Sequence, residues 1–349
     1  MHLQARRVFR LALSMALSLL CAYALYVPLP FLAPLFAIML VANPGPPLGS
    51  KQLLGLVLVV LLTLGIGLLM IPVLQYYPGT GVLLVMLGLF FSVLLTVHRG
   101  KVLVGMFLAV GLTMISAAGS VDFVLALTVI KALVIGILLA VVSHHIAYRW
   151  FPEDECEAKD QAVTTGGAPH PVWIALRTTL VVWPVYLFVL TNPMMYLPML
   201  MKSLQLGQQV SVTDTRHAAR ELLGSTFLAG CLAVLFWVTL KLVPGLWLFF
   251  WLMLAFGVYI ANRLYQVVPT RYPASFWQNV AVTMLILLGP AVEDSMNGKD
   301  VYMAFAVRMA LFVAITVYAV LAVYLLEQWR KRRAVRHTTR AGNGGVYAC

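Results

Sequence analysis

Apolar runs near the roughly 20 residues that a helix needs to cross hydrocarbon recur about twelve times along this chain. Inside a bilayer the backbone has no water to bond, so each run must satisfy its own N–H and C=O groups by becoming a helix. The runs are rich in Leu, Val and Ala without strict alternation, which is not the pattern of a barrel strand. The fold class read from this is all-α and polytopic. The approximate spans are 8–26, 30–42, 53–74, 80–97, 102–117 and 123–147, then 172–190, 193–206, 223–240, 245–262, 276–291 and 301–326. Prolines punctuate them at Pro28 and Pro30, at Pro44, Pro46 and Pro47, and at Pro78, Pro193, Pro244 and Pro273. Composition agrees, with 62% of residues hydrophobic and 10% charged.

The net charge of +12 suggests nucleic acid only until the basic residues are located. They flank the spans, so they report topology and no nucleic-acid partner is expected. With the N-terminus in the cytoplasm, the inner side receives Arg6, Arg7, Arg10, Lys51, Arg99, Lys101, Arg149, Lys159, Arg177, Lys202, Arg216, Arg220, Arg263, Arg271 and the tail from Arg330 to Arg340. The outer side keeps Lys241 and Lys299 beside Asp122, Glu293, Asp294 and Asp300. Both termini are then cytoplasmic. Arg6, Arg7 and Arg10, followed by an apolar run and Ala22-Tyr23-Ala24, imitate a signal peptide, but the first run is read as a retained span. The four cysteines show no metal spacing and no disulfide framework, and no cofactor is expected.

The chain divides into a first six-helix repeat at 1–150, a cytoplasmic linker at 151–171, a second six-helix repeat at 172–329 and a basic cytoplasmic tail at 330–349. Both repeats enter from the same side, which makes them parallel. Their second spans are short and lead into polar inner loops, and such interrupted segments point to a transporter's binding region. The competing reading makes each short span an interfacial or re-entrant hairpin.

The final span of each half carries one deep cation. Lys131 lies nine residues beyond Asp122 and Arg308 eight beyond Asp300, which places each roughly 12 to 14 Å into the core. A charge there costs at least about 2.5 to 3.5 kcal/mol, and no acidic residue is expected at that depth. Arg308, with its permanent planar fork, is the first candidate for binding a substrate anion and Lys131 the second. The competing reading bonds both to backbone carbonyls or hydroxyls between helices. Asp122 and Asp300 mark the outer mouth. Asp214, Arg216, His217 and Arg220 form a compact charged cluster for gating the inner mouth, or a solvated cap of the next helix. His144 and His145 are a weaker candidate for proton relay. No GxSxG, Walker-type loop or HExxH occurs, so an enzyme is not expected.

The opening Arg6-Arg7-x-x-Arg10-Leu-Ala-Leu, the stretch Pro28-Leu-Pro-Phe-Leu-Ala-Pro-Leu-Phe-Ala37, the segment Ser211 to Glu221 and Arg308 resemble the fusaric acid resistance protein-like family of bacterial membrane proteins. They resemble in particular its compact branch without large cytoplasmic domains. The resemblance implies an inner-membrane exporter of aromatic carboxylic acids, working with a periplasmic membrane-fusion adaptor, and leaves homo-oligomerisation open. An anion channel using the same cations as a selectivity ring, or a membrane-embedded envelope enzyme or scaffold, are the alternative readings.

Overall fold

The computed structural model describes residues 3–42, 45–100, 102–153, 171–193, 196, 199–204, 215–296, 298 and 300–343. All the regular structure among them is helical. The first six helices are α1 (Leu3–Ala24), α2 (Leu32–Val41), α3 (Ser50–Tyr76), α4 (Pro78–Arg99), α5 (Val102–Val121) and α6 (Phe123–Trp150). After them come α7 (Pro171–Thr191), a short helical stretch at 199–204, α8 (Thr215–Leu242), α9 (Leu246–Leu264), α10 (Ala274–Met296) and α11 (Val301–Asn343). Ten of these are long and apolar enough to cross a membrane. The protein is therefore an all-α polytopic membrane protein with about ten candidate spans, against the expected twelve. α2 falls short because its 10 residues reach only about 15 Å, half the hydrocarbon thickness. It is also surrounded by protein, with Leu32, Ala37 and Ile38 fully buried. The counterpart expected at 193–206 lies partly outside the described residues.

Helix ends follow local chemistry. Pro78 opens α4, where its missing N–H costs nothing, and Gly100 closes it with φ 65°, a left-handed conformation that suits glycine. Asp122 separates α5 from α6 by accepting the Val124 N–H at 2.9 Å. Asp300 does the same for α11, accepting from Tyr302 at 3.0 Å. α10 passes through Pro290 and ends at Met296, one turn beyond the expected 291. The basic stretch from Arg330 continues α11 as helix to Asn343.

Two spans form the centre. α10 is 89% buried along its apolar window and α5 is 72% buried, whereas α3, α4, α9 and α11 are each 28% buried. Exposed Leu58, Leu62 and Leu69 on α3, Phe91 on α4, Trp247 and Trp251 on α9 and Leu321 and Leu325 on α11 form the apolar surface that meets lipid. α10 packs on α8, α9 and α11 and touches α2, while α5 packs on α3, α4 and α6. Across the chain's midpoint, α1 packs on α9 and α4 on α7. Small residues let these backbones approach, as they do between helices in lipid. A Cβ on Gly257 of α9 would stand 3.1 Å from the Cα of Ala12 in α1, and one on Gly67 of α3 would run into the Gly111 carbonyl of α5. Gly111 also opens a π-helical turn, Gly111–Ile115, inside α5.

Candidate functional site

The bundle has a basic end, where α1, α3 and α5 begin, and an acidic end, where Asp122, Asp294 and Asp300 lie. At the acidic end the structure changes the account of Arg308. Its Nη2 stands 2.6 Å from Asp294 Oδ2, with the two side chains 20% and 10% exposed. The expectation of a deep cation without a carboxylate is overturned for Arg308. The reason is the extra turn of α10, which carries Asp294 off the expected loop and onto the neighbour of α11. Lys131 is exposed on α6, on the same stripe as exposed Val124 and Leu138, while Val129, Ala132, Leu133 and Ile137 face the interior. It therefore points away from the bundle. Asp122 and Asp300 are exposed helix caps. Asp214 lies outside the described residues, as do the side chains of Arg216 and His217 in the first turn of α8, and Arg220 is exposed. His145 Nδ1 meets the Val141 carbonyl at 2.9 Å, and the buried His144 ring packs edge-on to Tyr148.

The basic end holds two ion clusters that the sequence reading treated as interface markers. Arg10 is 1% exposed, and its Nη2 donates to Glu153 Oε2 at 2.9 Å. Arg7 Nε donates to the other oxygen of the same carboxylate at 2.6 Å. Arg10 also lies over the Tyr148 ring, 5.4 Å from its centroid. In the later helices, Arg177 of α7 donates to Glu327 of α11 at 2.7 Å, and Trp173 Nε1 donates to the same oxygen at 3.0 Å. Beside the first cluster Tyr265 donates its hydroxyl to the Val41 carbonyl at 3.0 Å, and burial holds its phenol pKa above the ordinary range, so it stays a donor.

Between these ends the structure buries a residue that the expected span 193–206 contains and that the charge count assigns to the inner side. Lys202 is fully buried, and its Nζ donates to Asn279 Oδ1 at 2.9 Å and to Thr283 Oγ1 at 2.5 Å. Asn279 and Thr283 are four apart on α10 and so share one face. The Asn279 amide donates in turn to Ser225 Oγ of α8. A sequence signal for this network existed. Lys202 sits inside an apolar run, and Asn279 and Thr283 interrupt another at helical spacing.

Chain neighbours of the network residues line a cavity of about 210 Å³. Its walls come from α2 (Leu35, Phe36, Met39), α5 (Val102, Met106, Phe107, Val110), α6 (Leu133), the 199–204 stretch (Met201, Leu204) and α10 (Gln278, Val282, Ile286). Gln278 is the polar side chain of this wall, and the three methionines give it an adaptable apolar surface. Met201, Gln278 and Val282 face the cavity, and their chain neighbours Lys202, Asn279 and Thr283 form the network. Toward the acidic end α10 and the residue before α2 are in close contact. There Gly289 of α10 lies so close to Phe31 that a Cβ would strike the ring.

Such an arrangement can hold an apolar body in the cavity with a charge beside it. Residues 7–147, from α1 into α6, match the model of a family described as a protein of unknown function, DUF2955. No curated protein and no solved structure matches the chain.

Proposed function

We propose that this chain is an inner-membrane exporter of small organic acids, aromatic carboxylic acids foremost, with the seam cavity as its binding site. The observation that carries the reading is that cavity, apolar and walled by α2, α5, α6, α10 and the 199–204 stretch, with the buried side chain of Lys202 on the residue next to lining Met201. A dry cavity of about 150 Å³ holds benzene, so about 210 Å³ suits one aromatic ring with a small substituent.

The architecture supports alternating access between two parallel six-helix repeats, at 1–150 and 172–329. The α1–α9 and α4–α7 contacts exchange under such a repeat, as do the α3–α5 and α8–α10 contacts. The arginine of each first helix meets a carboxylate near the end of each last apolar span, Glu153 just beyond α6 and Glu327 within α11. In this scheme α2 and the segment at 193–206 are equivalent short second segments, which completes twelve. The cavity lies toward the basic end, which the positive-inside rule makes cytoplasmic, and on its acidic side Phe31 packs tightly against Gly289 of α10. That is the disposition of an exporter waiting for cytoplasmic substrate. The resemblance to the fusaric acid resistance protein-like family supports the substrate class and a periplasmic adaptor. Arg308, held by Asp294, acts in this scheme at the exit, where exchange of its carboxylate partner opens the acidic end.

Cells expressing the chain and preloaded with labelled benzoate are expected to lose it faster than cells with empty vector. Met106→Trp, which fills the cavity, removes the difference at equal protein level. Equal retention by wild type and vector across a panel of aromatic acids would sink the reading.

A further inference from the structure

We propose that Lys202 is the group that selects anionic cargo, by giving an N–H of its ammonium to the carboxylate of an aromatic acid whose ring lies in the seam cavity. The inference rests on the transport reading above and deepens it.

Burial comes first. Lys202 is fully buried, and its partners among the described residues, Asn279 and Thr283, are both neutral. Hydrocarbon-depth charge of this kind is retained where it meets a partner or a ligand. Arg308 has its carboxylate in Asp294, and Lys131 faces away from the interior, so neither of the cations picked out by sequence adjoins the cavity unpaired.

Orientation comes second. The Asn279 amide nitrogen is committed to Ser225 Oγ, which fixes its oxygen toward Lys202. Thr283 supplies a second acceptor from the next turn of the same helix. These two oxygens take two of the three N–H donors of an ammonium and leave one. They hold the head in place without neutralising it, as an anion site requires.

Position comes third. Met201, Gln278 and Val282 line the cavity at the residues next to Lys202, Asn279 and Thr283, so the ammonium sits one residue behind the wall. A four-carbon stem lets it reach a carboxylate there, with Gln278 in the wall as a donor for the second oxygen. The apolar chamber takes the ring.

The test uses the full chain in nanodiscs, with labelled benzoate and the neutral benzyl alcohol as probes in equilibrium dialysis. Wild type is expected to prefer benzoate by about tenfold or more, the size of one charge-assisted hydrogen bond. Lys202→Met removes the charge. Asn279→Asp keeps it but supplies a resident carboxylate, and so guards against a Met variant that fails to fold. Each is expected to weaken benzoate about tenfold and to leave benzyl alcohol within about twofold. Benzoate binding unchanged in the folded variants, or equal loss of both probes, overturns the role of Lys202 while leaving the transport reading intact. Wild type that binds neither probe overturns both.

Discussion

Glu153→Gln puts the basic-end cluster to a quantitative test. Glu153 is 3% exposed and meets Arg10 at 1% exposure, at 2.9 Å, together with Arg7 at 10%. Removing one partner of a buried ion pair costs about 3 to 5 kcal/mol, because the remaining charge stays desolvated. Glutamine keeps the volume and one acceptor, which sets the expectation near the lower bound, about 3 kcal/mol. The second cluster is an internal comparison. Glu327 is 22% exposed, so water reaches it, and Glu327→Gln is expected to cost about 1 to 2 kcal/mol. The assay is equilibrium unfolding of the purified protein in mixed micelles, followed by far-UV circular dichroism as the fraction of denaturing detergent rises. A paired replacement, Arg10→Met with Glu153→Met, takes the buried charge away along with its partner and should recover at least half of the loss. The reasoning is refuted if Glu153→Gln lies within about 0.5 kcal/mol of wild type, or if Glu327→Gln proves the more costly.

Further outcomes can be read in the same titration. Gly67→Ala should cost about 2 kcal/mol because its Cβ meets the Gly111 carbonyl, whereas Gly65→Ala, with nothing within 4 Å, should be neutral or stabilising by up to about 1 kcal/mol. Asp294→Asn leaves Arg308 without its carboxylate and should cost about 2 to 3 kcal/mol, whereas an unchanged midpoint would show that water compensates. Lys131→Leu takes a cation off the lipid-facing side of α6, so stability should hold or rise by about 1 kcal/mol, and benzoate binding should not change.

Hydropathy is a property of each run by itself, and it made ten long spans, their proline and aspartate boundaries and the all-α class legible in the sequence. The charge asymmetry was equally local and separated a basic from an acidic end. The cost of a deep cation drew attention to Arg308 and Lys131, but cost alone does not name a partner or say which way a side chain faces. Asp294 reached Arg308 only because α10 continued past the expected end at 291 to Met296, through Glu293 and Asp294, whose charges read as an outer loop. Glu153 looked like the start of a solvated linker until α1 lay beside α6 and presented two arginines to it. Lys202, inside the short expected span 193–206, was counted with the inner-side charges, since one charge near the end of a short apolar run is indistinguishable from a flanking residue. Its acceptors, Asn279 and Thr283, are 77 and 81 residues away.

By itself, then, the sequence determined which segments leave water and that they are helices, because transfer free energy and backbone bonding act within a segment. Tertiary structure alone decided which buried cations meet a carboxylate and which is held by neutral oxygens. Those depend on contacts between helices whose facing residues carry no mutual mark in a single sequence.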